Sequence, residues 1–180
     1  MGADEQLESI AEVASLGPEV WLRGGWAMDF FLGRVTRPHL DVDWFAWASD
    51  AGRLSAALTS RGYELLPEPA HDQQLDFARG ELDLSFALIT RDSAGNVIVA
   101  GGPWAGQRWP GGMLDWPGGR IGAVRCPIIS PFAQIEIKRM MPVWVPGMPR
   151  RPKDAADITV LETALDQVDA VEPETAVPGR

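Results

Sequence analysis

Apolar residues recur at helical spacing in some parts of the chain and at alternate positions in others. The helical spacing, with its caps and breakers, predicts helices at 5–15, 26–33, 50–62, 130–141 and 153–165. Alternation places Leu40, Val42, Trp44 and Ala46 on one face, with Asp41, Asp43 and Phe45 on the other. It predicts strands at 39–48, 73–80 and 81–90, and shorter strands at 19–24, 63–68, 97–99 and 121–129.

Residues 95–120 break this pattern because they are dense in Gly, Pro and Trp. We expect an irregular loop there, packed rather than solvated, since flexible linkers seldom carry large aromatic side chains. Four prolines are expected to separate the last two helices: Pro142, Pro146, Pro149 and Pro152. The tail that follows is predicted to be disordered.

Composition limits the class of protein. The chain has 180 residues, 46% of them hydrophobic and 23% charged, which is typical of one principal globular domain. A net charge of -9 disfavours sequence-independent binding to nucleic acid and permits cationic partners. No leader-like or membrane-spanning stretch is evident, so we expect a cytoplasmic protein with no membrane partner. The single cysteine, Cys126, is expected to be a small buried residue.

Gly24 and Gly25 lie where a predicted strand runs into a predicted helix. Backbone N–H groups converge at such a turn, and the helix dipole adds partial positive charge, so phosphate is a natural ligand. A pair of glycines is also what a tight turn requires, and by itself it favours that plainer interpretation.

Asp41 and Asp43 are two positions apart on a predicted strand, so their side chains leave the same face. Two such carboxylates indicate either a divalent cation with oxygen ligands or solvated charges at a sheet edge. Asp83 alternates with apolar residues on a later strand and is a candidate third ligand. Asp76 and Glu81 are its rivals, and periodicity alone does not separate them.

Together these features resemble a known pattern. The Gly-Gly turn, the Asp-x-Asp strand and the later strand aspartate resemble the nucleotidyltransferase superfamily that includes DNA polymerase beta. Residues 21–45 are similar, nearly position by position, to the aminoglycoside 2''-nucleotidyltransferase and lincosamide nucleotidyltransferase group. The matching positions include Asp29, Arg34, Thr36, Arg37 and His39. Residues 122–141 and the start of the last predicted helix fit the group less closely.

The resemblance implies a fold and a domain organisation. It implies an α/β (α+β) fold, a mixed nucleotidyltransferase-type sheet flanked by helices, with a small C-terminal helical part. The expected boundaries are a core at 1–128, a helical segment at 129–168 and a disordered tail at 169–180.

The resemblance also implies roles for individual residues. Gly24 and Gly25 would hold the phosphates of ATP or another nucleoside triphosphate. Asp41 and Asp43 would coordinate Mg²⁺, with two ions bound in all. Asp83 would either complete this set of metal ligands or act as the general base for the acceptor hydroxyl. Five further residues are candidate nucleotide contacts, the first three with an equally plausible structural role: Arg34, Arg37, His39, Lys138 and Lys153.

The implied activity is transfer of AMP from ATP to a hydroxyl of a small molecule, first an aminoglycoside antibiotic and second a lincosamide, which would confer antibiotic resistance. The alternatives are a toxin-type nucleotidyltransferase that modifies tRNA or protein, and a nucleotide-binding module without catalysis. The acceptor is the open question, because residues 101–119 and the short C-terminal part depart from the group.

Six further side chains are candidates for acceptor binding. The three tryptophans Trp104, Trp109 and Trp116 would stack on a sugar or base, or else fill a packed loop, which is the more common use. Asp72, Asp115 and Glu136 would meet a cationic acceptor.

Overall fold

The computed structural model describes residues 2–171, in a chain that divides into two compact units, Met1–Gln134 and Ile135–Arg180. The helices of the first unit are α1 (Ala3–Ala14), α2 (Gly24–Leu32) and α3 (Ala51–Thr59). Its strands are β1 (Val20–Leu22), β2 (Val42–Trp47), β3 (Glu64–Leu65), β4 (Gln74–Arg79), β5 (Leu82–Arg91), β6 (Val97–Val99), β7 (Gly119–Ile121) and β8 (Val124–Cys126). Across the described part of the chain, no helix is both long enough and apolar enough to cross a membrane.

The main sheet has six strands in the order β1-β2-β5-β4-β3, with β6 paired to β5. Strands β2 and β5 run parallel, and the other pairs are antiparallel. The predicted mixed sheet flanked by helices is therefore confirmed. The parallel pair brings the Asp-x-Asp strand beside the strand that carries Asp83.

Alternation along the two central strands builds the core. The inward-facing side chains are almost entirely buried: Val42, Trp44, Ala46, Leu84, Phe86 and Leu88. Trp44 stacks on Phe86 with ring centroids 6.0 Å apart. Leu40 was expected on this face but is 88% exposed, because β2 begins only at Val42. Phe45 does face away from the core, yet it is fully buried because the ring of Trp109 packs on it, with centroids 4.9 Å apart.

Helices α1 and α3 pack through short apolar stripes. Leu54 and Leu58 are one turn apart on α3 and have no exposed surface, so each contributes about 1.5–3 kcal/mol of burial free energy. The hydroxyl of Tyr63, which follows α3, donates to Glu12 Oε2 on α1 at 3.1 Å. Burial, with the neighbouring Glu12 charge, raises the pKa of Tyr63 to about 12.

One predicted strand has a different form in the structure. The single strand predicted at 121–129 is instead the hairpin β7–β8, which turns at Gly122 (φ 57°), followed by a bridge from Ile128 to Leu22. Cys126 ends β8 and is buried, as expected, and desolvation raises the pKa of its thiol.

Two long helices follow, α4 (Pro131–Trp144) and α5 (Pro152–Val171). Pro142 was expected to separate them but lies inside α4, where its missing N–H interrupts the helix only two residues before it ends at Trp144. Helix α5 extends through Val171, into the range of the predicted tail, and residues 172–180 lie outside the described residues.

Candidate active site

The strand-to-helix turn at Gly24 and Gly25 has the predicted form. Strand β1 ends at Leu22, Arg23 is extended at φ -131°, and α2 begins at Gly24. The first turn of a helix has N–H groups without intrahelical acceptors, which gives this end of α2 the character of an anion site. The helix closes at Gly33, whose left-handed backbone (φ 75°) directs its N–H to the carbonyl of Asp29.

Close approach leaves little room for a side chain at either glycine. A Cβ on Gly24 would lie 2.9 Å from Asp43 Oδ2, and the backbone there has φ 70°. A Cβ on Gly25 would lie 2.5 Å from the ring of His39 and 3.0 Å from Arg37 Nη2. The turn thus lies against Asp43 of the Asp-x-Asp strand on one side, and on the other against the loop that leads from α2 into that strand.

A buried hydrogen-bond network fixes that loop. Asp29 on α2 has no exposed surface, and it accepts from Thr36 N at 3.0 Å, from the Thr36 hydroxyl and from His39 Nε2 at 2.7 Å. Arg37 Nη1 donates to His39 Nδ1 at 3.3 Å. Because an arginine only donates, this pattern assigns the proton of His39 to Nε2. The network carries the chain from α2 to Asp41, so its first effect is to position the Asp-x-Asp strand.

Arg23 contacts Asp43 of the Asp-x-Asp pair, and the sequence pattern did not indicate it. Arg23 N donates to the carbonyl of Asp43 at 2.9 Å, and Arg23 Nη2 lies 3.2 Å from Asp43 Oδ1. Its guanidinium also lies 5.2 Å from the ring centroid of Phe45. The signal that would have found Arg23 is the antiparallel pairing of β1 with β2. Leu22 pairs with Trp44, so the next position, Arg23, lies opposite Asp43.

Strand register places the candidate carboxylates on one face of the sheet. Asp43 is level with Ser85 on β5, and Ser85 is level with Asp76 on β4. Asp76 is therefore two strands from Asp43, ~10 Å at ordinary strand spacing. Asp83 lies on the adjacent strand, one position before the Val42–Leu84 pair, at the same level as Asp41. The register thus favours Asp83 over Asp76 as the partner of the Asp-x-Asp pair.

The third rival, Glu81, is exposed in the turn that precedes β5. It therefore lies outside the paired strand that carries Asp83.

The donor chemistry of this face fits a hard divalent cation. Asp41 and Asp83 are exposed, Asp43 is half-buried, and all three offer carboxylate oxygens, the preferred ligands of Mg²⁺. Asp43 Oδ2 faces the space that Gly24 keeps open by lacking a side chain. Among the described residues, no three His, Cys, Asp or Glu side chains already converge on one point. Binding a cation here would draw the carboxylates together.

The remaining predicted contacts have different surroundings. Arg34 is exposed in the loop after α2. In the second unit, Lys138 on α4 is held by two carboxylates of α5, with Nζ 2.8 Å from Asp157 Oδ2 and 3.8 Å from Asp154 Oδ1. Lys153 is exposed in the first turn of α5. Lys138 is thus neutralised within its own unit, whereas Arg34 and Lys153 present their charge to solvent.

Two rings of the tryptophan-rich segment pack within the first unit. Trp109 covers Phe45, and Trp116 makes edge contacts with Phe31 and Phe132, with centroids 5.7 and 6.4 Å apart. Packing of these two rings was the expected use and is confirmed. Trp104 is 40% exposed. Because Phe45 lies beside Arg23 as well as Trp109, this segment reaches the same sheet face as the aspartates.

Known proteins resemble this chain in sequence and in fold. A 2''-aminoglycoside nucleotidyltransferase from Escherichia coli is 41% identical over 49 residues, 27% of this chain, and the matched part spans only 28% of that relative's length. The solution structure of the antibiotic-resistance factor ANT(2'')-Ia superposes with a TM-score of 0.72 at 22% identity, covering 94% of this chain and 90% of that one. The lincomycin-bound lincosamide adenylyltransferase LnuA gives 0.68 at 18% identity, covering 91% and 98%.

At these identities the structural likeness establishes the fold. The sequence profile described as aminoglycoside-2''-adenylyltransferase matches residues 7–161, which is most of the chain. That range contains the glycine turn, the Asp29 network and the aspartates of the sheet. The chain therefore belongs to the aminoglycoside-2''-adenylyltransferase family.

Proposed function

We propose that the protein is a Mg²⁺-dependent nucleotidyltransferase that transfers AMP from ATP to a hydroxyl of an aminoglycoside. The observation that carries this proposal is the approach of Asp43 to Gly24. A carboxylate suited to a divalent cation lies directly against a helix start suited to phosphate, at a position where a Cβ would come within 2.9 Å of that carboxylate. The family membership of residues 7–161 supports the same reaction.

The first turn of α2 would bind the phosphates. Gly24 and Gly25 would present backbone N–H groups with no side chain in the way. Arg34 and Lys153 are further candidate contacts because both are exposed, while His39 and Arg37 would act by holding the loop against Gly25. Lys138 would serve the nucleotide only if it left Asp157.

Asp41, Asp43 and Asp83 would hold Mg²⁺. Bound there, the cation would neutralise phosphate charge as the reaction proceeds. Asp83 is alternatively placed to accept the proton of the acceptor hydroxyl, since it is exposed at the edge of the carboxylate face. In either role the reaction is the same: the hydroxyl oxygen bonds to the α-phosphorus, the bond to the β-phosphate oxygen breaks, and pyrophosphate leaves.

Charge supports a cationic acceptor. Four aspartates of the first unit share or border one sheet face: Asp41, Asp43, Asp76 and Asp83. With a net charge of -9, the chain would attract an aminoglycoside and repel nucleic acid. Asp72 and Asp115 are exposed in the first unit and Glu136 in the second, where each is available to an amine.

A lincosamide is the second candidate acceptor, because the fold is also similar to that of lincomycin-bound LnuA. The exposed ring of Trp104 offers an apolar surface for either ligand.

An acceptor panel tests the proposal. The full chain is incubated with ATP, Mg²⁺ and single aminoglycosides or lincosamides, and pyrophosphate release is measured with mass analysis of the antibiotic. We expect acceptor-dependent release and a product heavier by one AMP unit. Tight ATP binding without modification of any antibiotic would indicate a binding module. Transfer of α-phosphate label to added tRNA or protein would indicate a toxin-type enzyme.

A further inference from the structure

We infer that Arg23 is a counter-ion that is exchanged when the nucleotide binds. It neutralises Asp43 through their ion pair, and it moves to the triphosphate when a divalent cation takes its place at that carboxylate. Arg23 is thereby a positioning residue that couples metal binding to nucleotide binding. This inference rests on the proposed function, because it requires Asp43 to be a metal ligand.

The guanidinium of Arg23 contacts one of the two Asp43 oxygens that would bind the metal. Arg23 Nη2 lies 3.2 Å from Asp43 Oδ1, and the other oxygen, Oδ2, is the atom that faces Gly24. The side chains are 24% and 30% exposed, so the pair is reachable from solvent and is not locked in the core. A cation that binds both oxygens, or that brings its charge beside Arg23 while bound at Oδ2, therefore competes with the guanidinium for the same carboxylate.

The surroundings of Arg23 suit a second partner. Its Nε is buried and has no hydrogen-bond partner among the described residues, and leaving a buried donor unsatisfied is unfavourable. The face of Phe45 supports the guanidinium at 5.2 Å, which is a contact that does not consume an N–H group. Arg23 thus keeps donors available that a single monodentate bond to Asp43 does not use.

Position in the chain makes phosphate that partner. Arg23 comes immediately before Gly24, at the start of α2, where the backbone N–H groups lack intrahelical acceptors. Guanidinium groups bind phosphate through two parallel hydrogen bonds, more strongly than a single bond to one carboxylate oxygen. A triphosphate at this turn would lie within reach of a small rotation of the Arg23 side chain.

The inference predicts opposite effects on two ligands. Arg23→Gln removes the competing cation, so Mn²⁺ alone should bind about two- to fivefold more tightly, as expected for a partly exposed ion pair. The same change should weaken binding of α,β-methylene-ATP with Mg²⁺ by about tenfold or more, since a charged phosphate contact is lost. A purely structural arginine would weaken both ligands together.

The experiment measures Mn²⁺ by spin resonance and the ATP analogue by calorimetry, on the full chain. Arg53→Gln is the matched control, because it removes an exposed Arg53–Asp50 ion pair of 3.0 Å elsewhere in the first unit and changes the net charge equally. Arg23→Lys is the second variant: it keeps the charge, so Mn²⁺ affinity should match wild type while analogue affinity falls severalfold.

The outcomes separate the two proposals. Tighter Mn²⁺ binding with weaker analogue binding in Arg23→Gln supports the exchange. A second outcome is that the wild-type chain binds Mn²⁺, that Asp43→Asn abolishes this binding, and that Arg23→Gln binds Mn²⁺ no more tightly than wild type. This outcome overturns the exchange by Arg23 and leaves the metal assignment standing. If the wild-type chain binds Mn²⁺ no better than Asp43→Asn does, the metal assignment fails, and the exchange fails with it.

Discussion

His39 Nε2 lies 2.7 Å from Oδ2 of Asp29, a carboxylate with no exposed surface. The pair joins helix α2 to the loop that leads into the Asp-x-Asp strand, and the His39 ring also limits the space at Gly25. One contact therefore sets two parts of the candidate site, the phosphate turn and the carboxylate strand. Its disruption should affect stability and nucleotide binding together.

Asp29→Asn tests this relationship. The variant leaves donors facing donors in a buried site, so we expect a loss of about 2–3 kcal/mol in the free energy of unfolding. Urea denaturation measures it. Asp50→Asn, at a carboxylate paired with Arg53 near the surface, should change stability by less than about 0.5 kcal/mol. Equal stability of Asp29→Asn and wild type would show that the network is dispensable.

Gly25→Ala tests the close approach at the turn. A Cβ there would be 2.5 Å from the His39 ring, so the ring must move. We expect at least about a tenfold rise in the dissociation constant of the ATP analogue, because a misplaced contact in a phosphate site costs ~1.4 kcal/mol or more. Gly52→Ala is the control: nothing lies within 4 Å of its Cβ, and an alanine in helix α3 should stabilise by up to about 1 kcal/mol. A variant at Gly25 that binds like wild type would contradict the assignment of the turn.

Lys138→Met separates two roles for this lysine. Its Nζ lies between Asp154 and Asp157 and its side chain is 10% exposed. Asp154 also pairs with Arg151, whose Nε lies 2.7 Å from Asp154 Oδ2. Removing Lys138 therefore takes a charged hydrogen bond from the nearly buried Asp157 but leaves Asp154 paired, so thermal unfolding should show a loss of about 1.5–3 kcal/mol. If stability is instead unchanged and the KM for ATP rises, Lys138 acts on the nucleotide and not on the fold.

Tyr63→Phe tests the origin of alkaline instability. The pKa of Tyr63 is raised from 10.0 to about 12, mainly by burial and then by Glu12. The folded state therefore holds the phenol proton more tightly than the unfolded chain. The resulting stabilisation is complete below pH 10 and is lost as pH rises towards 12. Unfolding free energies measured across this range should decline less steeply in Tyr63→Phe than in wild type, and parallel curves would refute the contribution of this group.

Local pattern predicted the parts of the fold that depend on local physics. Alternation identified the strands of Asp43 and Asp83, and the Gly-Gly turn with Gly33 as a helix end identified α2. Tertiary contacts decided the rest. Phe45 is on the predicted face but buried, because Trp109 folds over it.

The same division applies to the candidate site. The sequence indicated the aspartates and the glycine turn, because their spacing has a physical meaning along one element. It did not decide which of Asp76, Glu81 and Asp83 lies beside Asp41. Only the register of β5 with β2 and with β4 answers that question. It missed Arg23 because the partner of that residue lies on another strand.

The most direct test of the central claim is AMP transfer by Asp43→Asn. Label from the α-phosphate of ATP is followed into the aminoglycoside that the panel identifies, with Mg²⁺ present and Asp50→Asn as the matched control. We predict a loss of roughly a hundred- to a thousandfold in the transfer rate, because Asp43 would hold a group that offsets charge in the transition state. The control should transfer at the wild-type rate. Transfer by Asp43→Asn at the wild-type rate would contradict the assignment of this carboxylate to catalysis.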